Sequence, residues 1–138
     1  AHGDELNRIV AGGNYGWPTV SFGWEYAGGP IGQGIRGQQG LQPPVKVWVR
    51  GIAPSGLAYY DGDLFPAWRG SFLIGSLARV HLKRLRIENG QPVLEERIMQ
   101  GDAGRVRSVA VDDGGAVWFG ADTGMIVRLT PEGDWAER

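Results

Sequence analysis

Glycine and proline interrupt this sequence so often that it has no room for long helices. Its 138 residues include 24 Gly and 8 Pro, the two residues that a helix interior tolerates least. The runs between the interruptions are short, apolar and evenly spaced. Residues 56–60 lead into Asp61-Gly62, and 71–77 follow. Residues 81–87, apolar at 82, 85 and 87, close on Asn89-Gly90, a strong two-residue hairpin signal. Residues 93–99 are charged and read as a strand at the outer edge of a sheet. The cycle then restarts with 106–111, the turn Asp112-Asp113-Gly114-Gly115, 116–119 and 125–129.

The strands from 57 to 99 form one four-stranded unit, and those from 106 to 129 form three strands of a second. Four antiparallel strands in about 40–45 residues is the repeat of a β-propeller blade. The two copies share a local texture. Ser55-Gly56-Leu57-Ala58-Tyr59-Tyr60-Asp61-Gly62 and Arg107-Ser108-Val109-Ala110-Val111-Asp112-Asp113-Gly114 each place a small residue, alternating apolar positions and an Asp/Gly turn in the same order. A β-sandwich of meanders has similar spacing and is the alternative reading. The fold expected is all-β: blades of a partial propeller joined to a long Gly-rich loop. That loop is 12–42, with ten Gly and two Pro, preceded by a strand over 4–10. A loop of this length in a compact domain is functional or tied down, here by a metal ion or by stacked aromatics.

Charge and cysteine usage exclude several functions. Fourteen basic and fifteen acidic residues give a net charge of −1, without the basic excess that binding a nucleic-acid backbone uses. There is no Cys, so disulfides and thiol nucleophiles are out. No apolar run is long enough for a membrane-spanning helix. The first residues, Ala1-His2-Gly3-Asp4-Glu5, do not read as a signal peptide, and the missing initiator Met suggests a chain processed, tagged or cut from something longer. Among the aromatics, Trp17, Trp48, Trp68 and Trp118 have faces suited to sugar rings. Packing between blades is the expected place of Trp48, Trp68 and Trp118, and exposure that of Trp24 and Tyr26. Glu95-Glu96-Arg97 reads as a solvated outer edge.

The most specific stretch is Asp4-Glu5-Leu6-Asn7 followed by Gly12-Gly13-Asn14-Tyr15-Gly16-Trp17-Pro18. An acidic cluster leading into a glycine-rich turn offers carboxylate and carbonyl oxygens to a hard cation such as Ca²⁺. The same residues also read as an exposed strand end and a turn. The strings DELN and GGNYGWP, with Tyr15 ten residues after Glu5, resemble the soluble pyrroloquinoline quinone (PQQ)-dependent glucose, aldose and sorbosone dehydrogenases. Ile52-Ala53-Pro54-Ser55-Gly56-Leu57-Ala58-Tyr59-Tyr60, Phe65-Pro66-Ala67-Trp68-Arg69-Gly70 and Arg105-Val106-Arg107 resemble the family in the same order.

The resemblance implies a six-bladed propeller of which this chain is the C-terminal part, about two and a half blades. It implies a structural Ca²⁺ held by the Glu5 carboxylate and the Tyr15 carbonyl, and Arg105 and Arg107 in the pocket for PQQ. Residues two apart on a strand share a face, and arginine forks match carboxylates, of which PQQ carries three. The parent activity is that of a quinoprotein oxidoreductase, oxidising an aldose sugar at C1 to the lactone. The family's catalytic His lies in an earlier blade, and neither His2 nor His81 takes its place, so no catalytic residue is assigned here. The Gly-Pro carbonyls that hold the cofactor's own Ca²⁺ are absent before Asp4. A cofactor-contacting Lys of some members has Ala78 in its position, with Arg79 one further on. The chain alone is therefore expected to be inactive or nearly so. The family is periplasmic or secreted.

The expected organisation is a single partial propeller unit over 1–138. It comprises the calcium motif and loop (1–50), a complete blade (51–100) and an incomplete final blade (101–138). Such an arc is short of the blades a ring needs. The expectation is a homo-oligomer, or missing blades supplied from elsewhere, covering bare faces that carry Phe72, Leu73, Ile74, Val117 and Phe119. The alternative function is a non-catalytic module that binds carbohydrate or protein through its aromatic loop. No nucleic acid or membrane partner is expected.

Overall fold

The structure, a computed structural model, describes residues 1–101 and 103–132. The expected final blade, 101–138, includes residues 102 and 133–138, which lie outside the described residues. Two compact units divide the chain, Ala1–Ala53 and Pro54–Arg138. The fold is all-β, a partial propeller with a single 3₁₀ turn, Pro66–Trp68, among the described residues.

In the first unit, β1 (Asp4–Leu6) pairs antiparallel with β2 (Lys46–Trp48), setting Glu5 opposite Val47. β1 is shorter than the 4–10 expected. Ile9 is 76% exposed, so the apolar letters after Leu6 bury nothing that would extend the strand. The segment between the two strands is irregular apart from isolated bridges, Val20 to Ile35 and Trp24 to Pro30. The Trp17-Pro18 peptide is cis. Backbone tethers fasten the loop, among them Gln42 N–H to the Asn14 carbonyl at 2.8 Å and Val45 N–H to the Leu6 carbonyl at 2.9 Å. Asp4 is a stronger tether. Its Oδ2 accepts from the N–H groups of Ile52 and Ala53 at 2.6 and 2.8 Å, which fixes the last residues of the first unit.

The second unit holds two antiparallel meanders. β3 (Pro54–Tyr60), β4 (Ser71–Ser76), β5 (His81–Glu88) and β6 (Gln91–Ile98) form the four-stranded blade. β7 (Val106–Val111), β8 (Val117–Ala121) and β9 (Ile126–Leu129) form three strands of the next. Alternation sends Leu73 and Leu82 of one sheet, and Val106, Val117 and Phe119 of the other, into one buried cluster with Tyr60 and Phe65. Gly56 lets the two first strands meet, because a Cβ there would lie 2.6 Å from the Val109 nitrogen. The Tyr60 hydroxyl accepts from Phe65 N–H and donates to the Gly115 carbonyl, both at 2.8 Å. It thus ties the turn of one blade to the turn of the next.

Three expectations are corrected by this packing. Leu73, Val117 and Phe119 do not lie on bare faces; they are the contact between the two blades, and Ile74 is buried as well. Trp118 is not core either. Its neighbours Val117 and Phe119 point inward, so strand alternation turns Trp118 outward. There it is 36% exposed, donates to Asp112 Oδ2 at 2.7 Å and lies under the Arg128 guanidinium. Finally, Glu95 and Glu96 are more than a solvated edge. β5 buries Lys83 and Arg84, and Glu95 pairs with Lys83 while Glu96 pairs with Arg84. A cation whose stem is buried needs such a partner.

Candidate functional site

Glu5 and Tyr15 come together. Both line a cleft of about 190 Å³ in the first unit, with Val20, Arg36, Leu41 and Gln42. β1 presents Glu5, and the glycine-rich turn brings Tyr15 back because its hydroxyl is gripped by the segment after β1. Tyr15 Oη accepts from Val10 N–H at 2.7 Å and donates to the Arg8 carbonyl at 2.9 Å. Beside them, Asn7 Nδ2 donates to Glu5 Oε2 at 3.2 Å, and Asn7 Oδ1 is buried without a hydrogen-bond partner. No group of three or more His, Asp or Glu able to hold a metal occurs among the described residues. A cation here would take one carboxylate and otherwise carbonyl, amide or water oxygens, a donor set that suits a hard ion. The orphaned Asn7 oxygen fits such an ion.

Arg105 and Arg107 also come together, in the second unit. Arg105 immediately precedes β7, and Arg107 is the extra residue of a bulge between Val106 and Ser108. The bulge keeps Val106 inward while turning Arg107 to the outer side, a re-aiming that bulges commonly provide. Both guanidiniums approach one carboxylate, that of Asp122. Arg105 Nε bonds its Oδ2, and Arg107 Nη2 lies 3.8 Å from the same oxygen. The Arg105 bond holds the Asp122 carboxyl below the usual carboxylate range. Both arginine side chains remain about half exposed, so the pair is open to solvent. Asp122 escaped the sequence reading. In sequence it is a turn residue before Thr123-Gly124, and only the pairing of Val106 with Ala121 brings it beside Arg105.

The histidines lie elsewhere. His2 lines a separate cleft with Trp24, Glu25 and Tyr26, and Tyr26 is 94% exposed, as expected. His81 is buried in β5 with Nδ1 2.9 Å from the Arg79 carbonyl, and burial pushes its pKa down. No helix among the described residues is long and apolar enough to cross a membrane.

Comparison with known proteins places these sites in context. The sequence model of the family described as Glucose / Sorbosone dehydrogenase matches residues 1–133. Aldose sugar dehydrogenase YliI of Escherichia coli is 33% identical over 134 residues, covering 94% of this chain and 36% of that protein. The crystal structure of a glucose dehydrogenase superposes with a TM-score of 0.87 at 38% identity, over 95% of this chain and 39% of the other. The PQQ-bound aldose sugar dehydrogenase of Streptomyces coelicolor superposes with a TM-score of 0.67 at 30% identity, over 94% of this chain and 36% of that one. The chain spans about a third of the length of the curated relatives it matches.

Proposed function

The chain belongs to the Glucose / Sorbosone dehydrogenase family, and on that premise we propose that it forms the C-terminal part of a PQQ-dependent aldose dehydrogenase. In this reading it contributes the arginine side of the cofactor pocket and a structural Ca²⁺ site. The observation that carries the reading is the convergence of Arg105 and Arg107 on one side of β7, half exposed. Two guanidiniums so placed offer forked donors to a ligand bearing several carboxylates. Bound PQQ would supply the two-electron acceptor for oxidation of an aldose at C1. The part of the chain in hand binds and orients that ligand; the base that takes the sugar's proton belongs to a blade outside it. The parent protein acts in the periplasm or outside the cell. Its ring is completed by further blades, from the same protein or from a second copy of this chain.

Calorimetric titration of PQQ tests the pocket. Wild type should bind, Arg105→Ala and Arg107→Ala should bind more weakly, and Arg86→Glu on β5 should match wild type. Equal affinity in all four would overturn the assignment. Dye reduction with PQQ, Ca²⁺ and glucose should be negligible for this chain alone. For the metal, Ca²⁺ bound only to the folded state stabilises it by mass action. Melting in millimolar Ca²⁺ should exceed melting in EDTA, and Glu5→Gln should abolish the difference.

A second reading rests on the cleft of about 460 Å³ that Trp24 and Tyr26 line beside Glu25 and Arg50. An exposed aromatic pair with charged neighbours suits a saccharide. Binding of oligosaccharides without cofactor, lost in Tyr26→Ala, would favour a carbohydrate-binding role.

A further inference from the structure

Asp122 is held more firmly than a turn residue requires. Its N–H donates to the Arg105 carbonyl at 3.1 Å, and its Oδ1 accepts from Arg105 N–H at 3.2 Å. One residue on, Thr123 Oγ1 donates to the Ala103 carbonyl at 2.8 Å. Gly104 fits between these contacts: a Cβ there would lie 2.7 Å from Thr123 Cγ2 and 3.3 Å from Asp122 Oδ1. The β8–β9 turn is thereby clamped to the segment that leads into β7, and the Asp122 carboxylate is fixed before any ligand arrives.

The way Asp122 contacts the arginines decides what they can still do. It engages Arg105 through Nε, the inner edge of the guanidinium. The terminal Nη1 and Nη2 groups, with four N–H donors, have no partner among the described residues. The 3.8 Å approach of Arg107 Nη2 is an ion pair, too long for a hydrogen bond. Its donors are therefore steered without being used up.

We propose that Asp122 is the positioning residue of the Arg105–Arg107 pair, holding both forks so that their terminal nitrogens face a carboxylate-bearing ligand. This rests on the reading of that pair as part of a PQQ pocket. It makes a prediction opposite in sign to that of simple charge counting. Removing a negative charge beside two arginines should, by Coulomb attraction alone, tighten binding of an anion. If Asp122 positions the pair, its removal weakens binding instead, because the forks must then be ordered by the ligand itself.

The test combines PQQ calorimetry at fixed ionic strength with NMR of the arginine Nε–Hε groups, on wild type, Asp122→Ala, Asp122→Asn, Arg105→Ala and Arg107→Ala. The expected result is an Arg105 Nε–Hε signal protected from exchange without ligand, lost in Asp122→Ala, and a PQQ affinity about tenfold weaker in that variant. Asp122→Asn keeps an oxygen for Arg105 N–H and should fold if the alanine variant does not; it too should bind more weakly. Affinity equal to or tighter than wild type in the Asp122 variants, with the arginine variants weakened, overturns the positioning role alone. Unaltered binding in the arginine variants, or no binding by wild type, overturns the pocket reading and this inference with it.

Discussion

The two units of this chain are ordered by different means. Among the described residues, Ala1–Ala53 contains only two strands of three residues each, whereas Pro54–Arg138 contains seven strands in two sheets. The largest fully buried side chains, from Tyr60 to Phe119, all belong to the second unit. The first unit depends instead on polar tethers between distant positions, of which Asp4 holding Ile52 and Ala53 is the best defined. A shared apolar cluster spreads its stabilisation over many residues, so losing one member weakens the whole. A tether concentrates it, so losing one releases a particular loop and leaves the rest. Glycine-rich chain can therefore be ordered with few buried apolar side chains, here Trp48 and Ile52, but the order is local.

The sharpest way to separate the two regimes is to hollow out the core. Phe119→Ala should destabilise the second unit by about 3–5 kcal/mol, lowering the whole denaturation transition of its sheets. Next in size is Asp4→Ala, which removes the charged acceptor of the Ile52 and Ala53 N–H groups and should cost about 2–3 kcal/mol. Its effect should be confined: amide exchange should accelerate at Ile52 and Ala53 while that of Leu73 and Phe119 stays unchanged. Acceleration spread through both sheets would mean that the tether is part of the same cooperative unit.

Adjacent tyrosines sharpen the comparison within the second unit. Tyr60→Phe removes the hydroxyl that accepts from Phe65 N–H and donates to the Gly115 carbonyl, and should cost about 1–3 kcal/mol. Tyr59, 54% exposed, should change stability by less than about 0.5 kcal/mol when replaced by Phe. The smallest effect should come from pH. Burial lowers the pKa of His81, so the unfolded chain binds its proton more readily than the folded one. Its contribution is fully present above the unfolded value of about 6.5 and is lost as pH falls below that toward the folded value. Melting temperature should decline between pH 7 and pH 5 in wild type and more shallowly in His81→Asn. Parallel declines would assign the effect to other groups.

The second unit was far more legible in the sequence than the first, and the reason is the same difference in regime. Strands that bury one face show alternation, and Asn89-Gly90 and Asp112–Gly115 mark where they turn. β2 left no such signal, since three residues after Pro43-Pro44 are too few to show a period. The bulges were equally silent. A shift between Arg86 and Ile87 sets Arg84 opposite Glu96; an unbroken register from Glu88 and Gln91 would have paired it with Glu95. Trp118 was misread because its size outweighed its place in the alternation, although Val117 and Phe119 on either side already fixed its direction. At the candidate sites, both guanidiniums approach Asp122, though Arg105 precedes β7 and Arg107 sits in a bulge that the two-residue spacing does not reveal. The carboxylate between them depends on long-range register, which a single sequence does not display.

The Tyr60 hydroxyl has a consequence for how such blades can be recombined. In the second blade the first strand ends at Val111, which has no hydroxyl, and the carboxylate of the next residue, Asp112, turns back on its own hairpin, accepting from Ala116 N–H and the Trp118 indole. The first blade thus reaches forward to its neighbour, whereas the second closes on itself. The order of the modules is therefore built into their chemistry. A tandem copy of the second blade spliced behind itself would stack two sheets with no hydroxyl bridging their turns, and swapping the two blades would leave the tyrosine facing a hairpin other than the one it now holds. Duplication alone would not extend this series; each added module would need its own forward-reaching group.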